Sequence, residues 1–100
     1  MAELLRRGVE YLHLGDNALG DAGVEALAAA LKEGAGAKLQ VLILSDNGIT
    51  AKGAQALAGC LAACGSLREL NLMDNELDDA AKQTLREAVA GREGFELRMG

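Results

Sequence analysis

The sequence predicts an α/β solenoid, a short right-handed arc with a parallel sheet on its concave side and helices on its convex side. Three observations lead there. An eleven-residue pattern, L-x-x-L-x-L-x-x-N-x-L, occurs three times: VEYLHLGDNAL from Val9, LQVLILSDNGI from Leu39 and LRELNLMDNEL from Leu67. Its asparagines, Asn17, Asn47 and Asn75, recur at intervals of 30 and 28 residues, and each copy is followed by apolar residues at helical spacing. Hydrophobic residues make up 50% of the chain but aromatics only 2%, so the core is built from Leu, Ala, Val and Ile in thin regular layers.

Each copy opens as a strand. In the second, both alternating sets are apolar, which a solenoid explains: Leu42 and Leu44 face the helices, while Val41 and Ile43 face outward on the sheet. The helix after the first copy is expected to bury Gly23, Leu27, Ala30 and Leu31, with Asp21 as N-cap and Ala28 and Ala29 on its exterior. The second is expected to start at Thr50 as N-cap and bury Gly53, Leu57, Cys60, Leu61 and Cys64, with Ala58 outside. The third starts at Asp78 or Asp79 and buries Ala81, Leu85, Ala88 and Val89. Gly34, Gly65 and Gly91 stand where left-handed residues would end the helices. One strand–turn–helix unit cannot bury its own stripe, so the units must stack. The chain therefore reads as a single domain over 1–100, with repeats at about 9–38, 39–66 and 67–94.

The ends depart from the pattern. FELRMG keeps strand alternation through Phe95, Leu97 and Met99 without an asparagine or a following helix, so 95–99 is expected to be a closing strand sealed by Phe95. MAELLRRG reads as the tail of a helix, with Leu4 and Leu5 as a partial cap. The strand near Glu10–His13 would otherwise be an open edge, a template for self-association.

These repeats resemble the leucine-rich repeat family, and by their 28-to-30-residue period and the helix type LGDAGVEALAAAL, the ribonuclease-inhibitor-like subfamily. The resemblance runs from about Val9 to Met99 and implies the curved solenoid described above. Similar repeats occur in Ran GTPase-activating proteins, NOD-like receptors and tropomodulin-like actin regulators. Physical chemistry gives the asparagines a structural role. Where a strand ends, backbone groups lose their ladder partners, and a side-chain amide both donates and accepts, so Asn17, Asn47 and Asn75 form a ladder that satisfies the turns.

Composition narrows the functions. The formal charge is −5 with scattered basic residues, which argues against nucleic acid as a partner. No apolar run approaches a membrane span of roughly 20 residues, and no signal peptide follows the first residues, so a cytoplasmic protein is expected, with the nucleus as the other setting. Cys60 and Cys64 share a helix face with no further ligands for zinc, and read as buried reduced thiols. No cofactor is expected.

The outward sheet positions form the natural binding surface of such a fold. They are Tyr11, His13 and Gly15 in the first copy, Val41, Ile43 and Ser45 in the second, and Glu69, Asn71 and Met73 in the third. Apolar residues there suit a protein partner, or simply supply β-propensity. Before each asparagine stands an aspartate, and Asp16, Asp46 and Asp74 would form an acidic column at ~5 Å strand spacing. That column suits a basic partner, or more speculatively a divalent cation; as plain turn residues the carboxylates would be solvated, and no metal site is assigned. His13, the only histidine, has no nucleophile or orienting partner in any catalytic motif and reads as a surface contact. The expectation is a non-catalytic protein-interaction module. The alternatives are a GTPase regulator resembling Ran GTPase-activating proteins, or a structural or engineered segment without a partner of its own.

Overall fold

In the computed structural model of the chain, residues 10–99 are described. The N-terminal helix tail, with Leu4 and Leu5 as its cap, and the start of the first repeat at Val9 lie outside the described residues. Four strands, β1 (Tyr11–His13), β2 (Val41–Ile43), β3 (Glu69–Asn71) and β4 (Glu96–Arg98), form one parallel sheet in chain order. Helices α1 (Gly20–Ala30), α2 (Ala51–Cys60) and α3 (Asp79–Ala88) connect them, an alternation compatible with a short solenoid arc. A helical turn from Leu31, broken at left-handed Gly34, extends α1, and a 3₁₀ turn, Leu61–Ala63, extends α2.

Strand alternation decides the core. Leu12, Leu42 and Leu70 stand in register on the helix side of the sheet, with Leu97 beside them on β4. Leu44 and Leu72 are fully buried one step further along, against Leu27, Leu57 and Leu85 from the helices. Full burial contributes about 1.5–3 kcal/mol for each such side chain. Phe95, Leu97 and Met99 are partly buried and pack against the core.

The asparagines bind the layers together. Asn47 is buried: its Oδ1 accepts the N–H groups of Asn17 and Leu19, both at 3.1 Å, and its Nδ2 donates to the carbonyls of Leu14 (2.8 Å) and Ser45 (3.2 Å). Asn75 repeats the arrangement, accepting from Asn47 and Ile49 and donating to Leu44 and Leu72. Each amide thus serves the turn of the preceding repeat. Asn17 is the exception: it is exposed, and its Nδ2 donates only to Gly15 of its own turn at 3.0 Å. The turns also need left-handed backbone at the residue before each asparagine, with φ of 61° at Asp16, 54° at Asp46 and 60° at Asp74. Aspartate tolerates this region better than most residues with a Cβ.

Helix starts differ from the sequence reading. Asp21 does not cap α1. It lies in that helix's first turn and caps α2, one repeat on: Oδ1 accepts the N–H groups of Thr50 (2.8 Å) and Gly53 (2.9 Å), and Oδ2 accepts the Thr50 hydroxyl. Thr50 occupies the cap position without capping through its own side chain. Gly20, at the matching place in the first repeat, is left-handed with φ 64°. Asp78 caps α3 directly, accepting from Ala81 N–H at 2.8 Å.

Other differences follow from stacking. Ala28 is buried, because α1 packs against α2 along that side, and Val24 joins the stripe while Gly23 and Ala30 lie at its margin. Ala58 also packs against the core. Gly34 and Gly91 are left-handed, with φ of 100° and 85°, but Gly65 is not. There the chain leaves the 3₁₀ turn through Cys64, at φ −108° and ψ 62°, so no left-handed residue is required.

Asn47→Ala removes four hydrogen bonds at a buried point and is expected to cost about 3 kcal/mol in urea unfolding. Asn17→Ala, which loses one exposed bond, should change stability by less than ~0.5 kcal/mol. A Cβ at Gly53 would sit 2.5 Å from Asp21 Oδ1 and 2.8 Å from Ile49 Cγ2. Gly53→Ala should therefore destabilise by about 1–2 kcal/mol despite the better helix propensity of alanine, and much of the loss should vanish in an Asp21→Ala background.

Candidate functional site

The sheet's outer face gathers its side chains in rows. Tyr11, Val41, Glu69 and Glu96 stand in register, and the next row is His13, Ile43, Asn71 and Arg98. Gly15, Ser45 and Met73 follow at the strand exits. The nine outward positions singled out from the sequence thus lie on the same side of the sheet.

Their exposure is uneven. Tyr11 is 59% exposed and Met73 37%, whereas Val41 and Ile43 are only 5% and 9% exposed. Val41 and Ile43 point outward but are not water-facing, because strands on both sides flank β2 and side chains in the same rows cover them. They form an apolar floor, with Tyr11 and Met73 as its accessible parts.

Two polar residues on this face have local duties. His13 Nδ1 accepts the N–H of Gly15 at 3.3 Å, and Asn71 Oδ1, at the equivalent place in the third repeat, accepts that of Met73 at 3.0 Å. Both side chains satisfy the backbone two residues on, where the strand leaves the sheet. Glu69 is tied to Arg98 at 3.6 Å, and Arg98 also reaches Glu96 at 3.1 Å. Glu96 and Arg98 stand in the same rows and were omitted by the sequence reading; their outward alternation with Phe95, Leu97 and Met99 was the available signal.

The aspartates form a column beyond these rows. Asp16 and Asp46 line a depression of about 400 Å³ together with Ala18, Gly20, Asn47 and Gly48. A hydrogen bond to Asp16 and the neighbouring charges of Asp16 and Asp74 raise the pKa of Asp46 above the ordinary carboxylate value. Among the described residues, no group of three or more His, Cys, Asp or Glu side chains is placed to hold a metal ion. No described helix is long and apolar enough to cross a membrane.

Comparison with known proteins now bears on this geometry. The family model described as Leucine Rich repeat matches residues 9–28, 37–58 and 63–81, more than half of the chain. The chain belongs to the leucine-rich repeat family. Its repeats are of the ribonuclease-inhibitor-like type, and leucine-rich repeats generally mediate protein interaction. The chain is 44% identical over 68 residues to Ribonuclease inhibitor of Sus scrofa, covering 68% of this chain and 15% of that protein. It is 46% identical over 61 residues to RAN GTPase-activating protein 2 of Arabidopsis thaliana, covering 61% of this chain and 11% of that protein. With NACHT, LRR and PYD domains-containing protein 3 of Rattus norvegicus it shares 36% identity over 83 residues, covering 83% of this chain and 8% of that protein. The matched stretch spans less than a fifth of the length of these curated relatives.

Charge on the leucine-rich repeat turns has a measurable signature. Asp46 has a raised folded pKa, so its ionised form disfavours the folded state, and that penalty disappears as pH falls through the raised value. Asp21 behaves oppositely: the hydrogen bonds from Thr50 lower its pKa, and its contribution is lost as pH falls through the lowered value. Asp46→Asn is expected to raise the melting temperature at pH 7 in low salt, with the gain shrinking toward pH 3–4 and in ~1 M salt. Thermal melts across pH and salt measure this directly.

Proposed function

We propose that the chain is a non-catalytic protein-interaction module that binds a protein partner through the outer face of its sheet. The observation that carries this reading is the pairing of accessible Tyr11 and Met73 with a nearly dehydrated floor of Val41 and Ile43. Aromatic and thioether side chains beside a rigid apolar base favour partner binding, because they bury large apolar area against a surface that is already ordered. His13, Ser45, Glu69 and Asn71 supply the polar contacts around that base. The column of Asp16, Asp46 and Asp74 selects a basic partner surface and speeds encounter with it. A cytoplasmic setting belongs to the same reading. Self-association through the edge of β1 belongs to the same reading as a weaker contact.

A second reading, regulation of a small GTPase, is supported by the 46% identical stretch shared with RAN GTPase-activating protein 2. It requires that substoichiometric amounts of the chain accelerate GTP hydrolysis by a purified small GTPase. Unchanged hydrolysis removes it.

The interaction reading is tested by capture from cell lysate on the immobilised chain, beside Tyr11→Ala, Met73→Asp and Asp46→Asn, the last removing the charge with a side chain that tolerates the left-handed backbone there. Gln55→Ala, on the exposed side of α2, serves as control. These positions are exposed, so the folds should be preserved, as circular dichroism would check. The expected result is a defined set of proteins whose retention falls at least roughly tenfold with Tyr11→Ala and Met73→Asp but not with Gln55→Ala. Equal retention by all the folded variants would refute the sheet face as the site.

A further inference from the structure

β4 is paired on one side only. The Glu96 N–H donates to the Arg68 carbonyl at 2.8 Å, and the Arg98 carbonyl accepts the Leu72 N–H at 2.6 Å, so residues 96 and 98 direct their backbone groups at β3. Successive residues of a strand direct these groups to opposite sides, which leaves the Leu97 N–H and C=O facing away from the sheet. β4 stands last in the strand order, and among the described residues nothing pairs with them. No helix follows β4 among those residues either, and the side chains of Leu97 and Met99 are covered only in part.

A depression of about 390 Å³ opens at the exit end of this edge, lined by Leu97, Arg98 and Met99, by Met73 and by Arg86 of α3. Its floor is apolar and it is flanked by guanidinium groups, a local exception in a chain of formal charge −5. Arg98 shares its charge with Glu69 and Glu96, at 3.6 and 3.1 Å. Arg86 is exposed and has no hydrogen bond or ion pair with any described residue. The entry end of β4 has the opposite character. Glu93 and Glu96 are exposed there, and the nearby Arg92 is turned onto the carbonyls of Leu61, Cys64 and Leu67.

Acid at the entry and base at the exit give the edge a direction. A peptide running parallel to β4 sets its carboxyl end beside the guanidinium groups, whereas an antiparallel one sets it beside Glu93 and Glu96. Like charges directly opposite destabilise a strand pair, so Glu96 excludes an acidic residue across from it and the negative charge belongs at the peptide's last position. We propose that the open side of β4 binds the free C-terminus of an extended peptide, added as a further parallel strand. Its aliphatic last side chain rests on Leu97 and Met99, and its carboxylate lies between Arg86 and Arg98. Main-chain hydrogen bonds to Leu97 supply the affinity, while the apolar floor and the flanking charges select the sequence. This surface is separate from the rows of the outer face, which it meets only at Met73 and Arg98.

The test titrates the full chain into fluorescein-labelled Gly-Lys-Val-Thr-Val with a free C-terminus and reads anisotropy. In parallel register the lysine faces Glu96, and the threonine N–H donates to the Leu97 carbonyl. Saturable binding is expected, weakened roughly tenfold by a C-terminal amide, by N-methylation of the threonine, or by Arg86→Glu, and unchanged in Gln55→Ala. Bound peptide should slow amide exchange at Leu97 several-fold and leave residues 41–43 as they were. Circular dichroism checks that the Arg86→Glu chain is folded. No saturation by roughly 1 mM, or equal affinity for the amidated and N-methylated peptides, would overturn the site. Binding lost in Tyr11→Ala but kept in Arg86→Glu would move the peptide to the outer face and overturn it as well. A concentration-dependent dimer in sedimentation that excess peptide fails to dissolve would give the edge to a second copy instead.

Discussion

Everything in this molecule depends on side-chain amides that hydrogen-bond the turn of one repeat to the next. A parallel sheet with three-residue strands provides few ladder bonds, and each strand must be followed by a tight reversal toward a helix. The reversal leaves N–H and C=O groups pointing along the stack, where water is excluded. Asn47 and Asn75 each satisfy both kinds of group at once, which neither aspartate nor leucine of similar size could do. Lateral order then follows: the strands fall into register, leucines line up across the sheet, and the outward residues line up with them.

The parts legible in the sequence are those that repeat. Period-two alternation around Leu12, Leu42 and Leu70, the three asparagines and the helical stripe of α2 are statements about every unit, made three times over. What escaped are contacts between units that occur once. Asp21 reads as a local N-cap because aspartate before an apolar helix usually is one, and only the stacked geometry places it on Thr50 and Gly53. Arg92 drew no reading from the sequence, yet its guanidinium donates to the carbonyls of Leu61, Cys64 and Leu67 around the end of α2's extension. The burial of Val41 and Ile43 has the same origin, since a residue in the middle of a row is covered by neighbours nearly thirty positions away.

Aspartate plays two opposed electrostatic parts here. Asp21 sits among hydrogen-bond donors that stabilise its charge, while Asp46 sits among other carboxylates that oppose it. One strengthens the seam between repeats, and the other leaves unrelieved repulsion at the margin of the outer face. Backbone geometry explains why the second arrangement persists in all three turns: the position is left-handed, and the short polar side chain is among the few that accept it.

The cap that crosses from Asp21 to the second repeat also bears on the grammar of the array. Asp21 fits only opposite a glycine, which Gly53 supplies, whereas the third repeat carries Ala81 at that place and brings its own cap in Asp78. Ala51, where the second repeat has no carboxylate, leaves room for that methyl group. Exchanging the second and third units would set Asp21 against Ala81 and leave Gly53 without its acceptor. Units that look interchangeable by their leucines and asparagines are thus keyed to particular neighbours, and the order of the string is written in its seams.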